Sequence, residues 1–107
     1  MTTLLTFDSY QNLAESTAVF QHEYYPYASL MIEAAELADL VCKPLLRGDT
    51  ALVDSHEVLK EAGDVLWNLA VICKRHNIKL SAVASYNLAK VISRQDRGVL
   101  MGSGGDR

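Results

Sequence analysis

Two cysteines, two prolines and no useful stretch of strand-like alternation leave few structural classes open to this 107-residue chain. Cys42 and Cys73 lie far apart and form no C-x-x-C pair, so neither a disulfide framework nor a cysteine-based zinc site is supported. Both read as reduced thiols buried in apolar helical surroundings. No run reaches the roughly 18 apolar residues that a membrane helix needs. The N-terminus lacks a basic region followed by an apolar core. The expectation is a soluble, cytoplasmic protein with no membrane partner. A basic excess is also missing, since the net charge is −3. That balance argues against a stable nucleic-acid partner but not against a small anionic substrate.

Half of the residues are hydrophobic, enough for a core in one domain over residues 1–107. A single small chain buries a limited share of its surface, so a homodimer or homotetramer is expected. Helical spacing of apolar residues predicts four helices joined by short connections, an all-α antiparallel bundle completed by oligomerisation. Asp8 is the expected cap of a first helix reaching Phe20. Pro26 interrupts the pattern, and a second helix is expected over Tyr27–Leu45, ended by Arg47-Gly48-Asp49. Asp54 or Ser55 should cap a third helix running to Lys74, with Asn77 as a stop. Ser81 should cap a fourth reaching Arg94.

The second helix carries Glu33 and Glu36, and the third carries Glu61 and Asp64. Each pair is spaced i, i+3, so its two carboxylates share a face about one turn apart. Glu57, Glu61, Asp64 and Asn68 form a narrow polar stripe beside the apolar arc of Val58, Ala62, Val65, Leu69 and Ile72. Lys60, Trp67 and Lys74 take the other, more exposed side. Four carboxylates from two neighbouring helices would make an oxygen-only site suited to Mg²⁺ or Mn²⁺. The bland alternative is a pair of solvated acidic faces. A di-iron bundle would need Glu-x-x-His motifs, and His22, His56 and His76 are preceded three residues earlier by Val19, Val53 and Cys73.

On the fourth helix Asn87, Lys90, Arg94 and Arg97 share one face. Cations in such a row suit a polyphosphate, although basic residues also favour the C-terminal end of any helix. Lys43 and Arg47 extend the polar side of the second helix beyond Glu36. They either reach the substrate or cap the helix end. Trp67, Phe20, Tyr24 and Tyr25 are candidates for stacking on a base, with ordinary packing as the alternative.

Glu33-x-x-Glu36, a gap of 24 residues and Glu61-x-x-Asp64 resemble the metal motif of MazG-type nucleotide pyrophosphohydrolases. The surrounding Ile32–Asp39 and Glu61–Trp67 segments resemble the two acidic helices of that family. Asn87-Leu88-Ala89-Lys90, Arg94, Arg97-Gly98 and Gly105-Asp106-Arg107 resemble its C-terminal signature. A glycine common in the first motif is Ala35 here, and the tail is shortened. The resemblance implies Mg²⁺-dependent hydrolysis of a nucleoside triphosphate between the α and β phosphates, with Glu33, Glu36, Glu61 and Asp64 as metal ligands. Glu33 or Glu36 is the expected activator of water. The resemblance further implies that Lys90 and Arg94 hold phosphates and that Asn68 and Asn87 line the nucleotide pocket. House-cleaning of deoxynucleoside or non-standard triphosphates is the leading expectation. Phosphoribosyl-ATP pyrophosphohydrolase activity and a non-catalytic helical dimerisation or regulatory module are the alternatives.

Overall fold

The computed structural model describes residues 4–50 and 53–98, and within them the chain forms four helices and no strand. These are α1 (Phe7–Ser16), α2 (Tyr25–Leu46), α3 (Ser55–Arg75) and α4 (Leu80–Arg97). The all-helical class expected from the sequence holds. No helix among the described residues is long and apolar enough to cross a membrane.

Thr6, and not Asp8, caps α1. Its hydroxyl accepts from the Ser9 amide at 3.1 Å, while the Ser9 hydroxyl accepts from the Thr6 amide at 2.9 Å. This reciprocal box satisfies two amides that the first helical turn would leave unpaired. The helix stops at Ser16 and does not continue to Phe20. The Ser16 and Thr17 hydroxyls donate back to the Leu13 and Ala14 carbonyls at 2.6 and 2.7 Å, offering the backbone a local alternative to another helical turn.

Pro26 sits in the first turn of α2 and starts that helix. No intrahelical partner exists for an amide there, so its missing N–H costs nothing. Pro44 lies in the last turn, where it forfeits one bond just before the helix ends at Leu46. Gly48 then takes a φ of 79°, the left-handed region that glycine enters without steric cost. Asp54 caps α3 by accepting from the His56 amide at 3.0 Å. Asn77, with φ 57°, makes the left-handed turn into α4, as expected of a stop residue.

Ser81 does not cap α4 but lies inside it, and the N-cap Lys79 makes no side-chain cap bond. The capping charge comes from α1. Asp8 accepts from the Ser81 amide at 3.1 Å and from its hydroxyl at 2.8 Å. A carboxylate at this helix start is favoured by the helix dipole as well. The Ser81 bonds also hold the Asp8 pKa below its usual value.

α3 is the hub. It packs along α2 on one side and against α1 on another. Ala14, Ala70 and Leu80 form the core cluster, with Tyr10, Leu66 and Trp67 packed on it. The buried residues of α3 are Asn68, Ala70 and Val71. The buried arc is therefore rotated from the expected one: Val58 and Leu69 are more than a third exposed, and Trp67 packs inward. The docking of α1 on the Trp67–Ala70 side sets that rotation. Cys42 is exposed, correcting the expectation of a buried thiol, and Cys73 is half-buried.

One buried side chain ties three elements together. Gln11 on α1 donates from Nε2 to the Ala70 and Ile78 carbonyls at 3.1 and 3.0 Å, and its Oε1 accepts from the Leu80 amide at 3.0 Å. Leu80 is the buried residue of α4. Anchored by this first turn against α1 and α3, α4 does not meet α2: no Cα of one lies within 8 Å of a Cα of the other.

Candidate active site

The long α2–α3 contact brings the two acidic pairs together. Single carboxylate oxygens of Glu33, Glu61 and Asp64 all lie within 4.8 Å of one another. Glu36 stands near enough for its charge to act on both Glu33 and Glu61. Glu33 and Glu61 are half-buried and Asp64 is exposed. One oxygen of Glu33 and one of Glu61 are fully covered and have no hydrogen-bond partner. Burial of orphaned carboxylate oxygens next to like charges is unfavourable unless a cation or a proton compensates.

The titration behaviour agrees. Burial, then the charges of Glu36 and Asp64, push the Glu33 pKa up, with a smaller contribution from Glu61. Burial and the same two neighbours raise Glu61, opposed weakly by Lys60. The Tyr10 phenol of α1 is raised by burial and, less, by the charge of Asp64. Oxygen-only, tightly grouped and partly desolvated, these donors suit a hard divalent cation such as Mg²⁺ or Mn²⁺.

A cavity of about 160 Å³ opens beside the cluster, lined by Tyr25, Ser29, Glu33, Asp64, Trp67 and Asn68. Asn68 is buried, and its Nδ2 donates at 3.1 Å to the Ser29 hydroxyl and at 3.1 Å to the Asp64 carbonyl. It thereby fixes α2 against α3 at the depth of the carboxylates. The Trp67 indole N–H donates to the Thr17 hydroxyl at 2.9 Å, orienting the ring at the cavity wall.

The other expected site residues are placed elsewhere. Phe20 stacks on Tyr25 at 5.6 Å and lies under the Arg75 guanidinium at 4.6 Å, outside the cavity lining. Tyr24 stacks on His22. Lys43 pairs with Asp39 at 3.5 Å. Asn87 and Lys90 line a separate cleft of about 480 Å³ with Ile78, Ala82, Val83 and Tyr86. Arg94 is half-buried on α4, one turn beyond Lys90. The structure thus brings Glu33, Glu61 and Asp64 together beside Trp67 and Asn68, with Glu36 near enough to act on Glu33 and Glu61, and places Asn87 and Lys90 in a separate cleft.

Sequence reasoning missed Tyr10 and Ser29. Nothing in α1 signals that the charge of Asp64 reaches Tyr10. Ser29 does stand four residues before Glu33, on its helical face, and that spacing was the available clue.

Residues 21–99 match the MazG nucleotide pyrophosphohydrolase domain. The chain belongs to the MazG family. The match contains both acidic pairs, the cavity and all of α4. The chain is also 34% identical, over an alignment of 111 positions, to the Gene 37 protein of Mycobacterium phage L5. That alignment covers 94% of this chain and 97% of the phage protein. No solved structure matches it. Within this MazG domain Glu33, Glu61 and Asp64 form a group that could hold a metal ion, and nucleotide pyrophosphohydrolysis is the activity of the family. Residues 102–107, which carry the shortened end of the C-terminal signature, lie outside the described residues.

Proposed function

We propose that this protein hydrolyses nucleoside triphosphates, deoxynucleoside or non-standard ones in particular, to a monophosphate and pyrophosphate with Mg²⁺, Mn²⁺ being an alternative. The observation that carries the reading is the convergence of Glu33, Glu61 and Asp64, with Glu36 acting on two of them and two covered oxygens left without a protein partner, in a MazG domain.

Glu33, Glu61 and Asp64 would hold the cation, with Glu36 completing the set. When bound, a divalent cation neutralises polyphosphate charge and lowers the pKa of a coordinated water. The carboxylates do the rest of the local work. They would hold the cation beside the cavity, and Glu33 or Glu36 would accept the proton of the attacking water. The water oxygen bonds to phosphorus, the α–β bridging P–O bond breaks, and its electron pair leaves with the pyrophosphate. Tyr25 and Trp67 supply apolar ring surface at the cavity wall for the nucleoside. Lys90 and Arg94 would stabilise charge on the phosphates, and Asn87 and Lys43 are secondary candidates for substrate contact.

The test is pyrophosphate release from a panel of standard and modified deoxynucleoside and ribonucleoside triphosphates, with and without Mg²⁺, for the native chain and Glu61→Gln. Metal-dependent release that Glu61→Gln abolishes supports the reading and names the substrate. Release from phosphoribosyl-ATP alone would replace the substrate class, and no release from any of them would return the chain to a binding module.

A further inference from the structure

Tyr25 is a wall of the carboxylate cavity and also the first residue of α2. That helix starts without a side-chain cap at Tyr24. An uncapped start leaves its amides to solvent and frays readily. A ring at such a place needs support from outside its own helix.

The far end of α3 supplies it. Arg75, the last residue of α3, donates to the Glu23 carbonyl. Its guanidinium also lies over the Phe20 ring, 4.6 Å from the centroid. Phe20 in turn stacks on Tyr25, with centroids 5.6 Å apart and planes within 18°. Next to Arg75, the His76 ring nitrogen Nε2 and the Tyr27 hydroxyl form a hydrogen bond of 2.9 Å. A cation at a helix C-terminus is favoured by the dipole and needs no further reason. A solvated end charge, however, requires neither the Glu23 carbonyl nor an aromatic face.

We propose that Arg75 is a positioning residue for the hydrolysis, holding Phe20 on Tyr25 and so fixing the ring that receives the nucleoside of the substrate. This rests on the reading of the cavity as a triphosphate site. Arg75 is not among the residues that line the cavity, so it acts through the two rings. A guanidinium over a ring face is attracted by the ring quadrupole, and offset stacking passes that restraint to Tyr25. A ring already held in place loses less freedom when substrate arrives. Glu33 stands eight residues further along α2, about 12 Å away, so the carboxylates do not depend on the clamp. The effect therefore falls on substrate binding and not on the chemical step.

Steady-state kinetics with the best triphosphate substrate test this on the native chain, Arg75→Ala, Tyr25→Ala and the double variant. Arg75→Ala should raise KM about fivefold, with kcat and the Mg²⁺ requirement unchanged. In the Tyr25→Ala background the same change should raise KM no further, because its route to the substrate is gone. Phe20→Leu breaks the same link from its other end and serves if Arg75→Ala fails to fold. An unchanged KM, a fall in kcat alone, or the full fivefold effect in the Tyr25→Ala background would each overturn the proposal. A second readout needs no turnover: the nuclear Overhauser contact between the Phe20 and Tyr25 rings should be present in the native chain and lost in Arg75→Ala. A native chain that releases no pyrophosphate overturns the triphosphate reading instead, and the ring contact then decides the clamp, which stands if the contact is lost in Arg75→Ala and falls if it is kept.

Discussion

Two polar clusters are packed into this small protein, and they are resolved in opposite ways. Around Gln11 every polar atom of the side chain has a partner: two carbonyls, Ala70 and Ile78, and one amide, Leu80. Around Glu33 and Glu61 two covered oxygens have none, and the charges that act on them most strongly are of the same sign. The first cluster is complete without any ligand and stabilises the junction of α1, α3 and α4. The second leaves two covered carboxylate oxygens unpaired among like charges. Proteins that carry unsatisfied buried groups at a site and satisfied ones elsewhere are trading stability for chemistry.

The sharpest way to break this contrast is to change one residue in each cluster. Glu61→Gln should lower metal-dependent pyrophosphate release by at least about 100-fold, read in a steady-state assay, because it removes a ligand charge where none can be spared. The metal-free variant should be no less stable than the native chain, since one of several crowded like charges is gone. Gln11→Leu should do the reverse. It leaves the Leu80 amide and two carbonyls without partners, and urea unfolding should report a loss of about 2–4 kcal/mol. A Gln11→Leu protein as stable as the native one would show that the junction is held by packing alone.

Metal addition separates the clusters next. A cation held by the carboxylates stabilises the folded state by about 2.7 kcal/mol at 100 times its Kd. The thermal midpoint of the native chain should therefore climb with Mg²⁺, while that of Glu61→Gln should climb far less and that of Gln11→Leu by as much as native. A similar rise in Glu61→Gln would place the cation elsewhere.

The smallest effect is on pH dependence in chelator, and its two parts have opposite signs. Glu33 and Glu61 titrate above their unfolded values, so the stability they contribute is full below the ordinary carboxylate range and is lost as pH rises through their raised values. Asp8 titrates below its unfolded value, so its contribution is present above that value and is lost as pH falls through the lowered one. Unfolding midpoints taken from pH 3 to 7 should show Asp8→Asn removing the acid-side loss and Glu61→Gln flattening the decline on the neutral side. A Glu61→Gln profile that runs parallel to native would mean that the crowding at the cluster does not reach stability.

Much of the candidate site's grouping was legible because helical periodicity is a local rule. Spacing i, i+3 on two helices was enough to pair Glu33 with Glu36 and Glu61 with Asp64, and the packing of α2 on α3 then joined them. Asn77 and Asp54 likewise announced a stop and a cap by chemistry that acts within three residues. What escaped depended on contacts far apart in the chain. Asp8 was read as the cap of its own helix because no local signal shows that Ser81 is its partner, 73 residues away. Cys42 and Val58 were assigned inward faces on apolar spacing alone, yet which arc of a helix is covered depends on the neighbour that docks there. The separation of α4 from α2 was equally invisible, since sequence supplies the face of each helix and not the angle between two.

The single tryptophan stands at the wall of the carboxylate cavity, next to Asn68 and bonded through its indole N–H to Thr17. The protein therefore carries its own fluorophore at the place of interest. With no other indole to dilute the signal, its emission reports the polarity and quenching at that wall directly. Titrations of metal, nucleotide or subunit concentration can be followed in the unlabelled native chain.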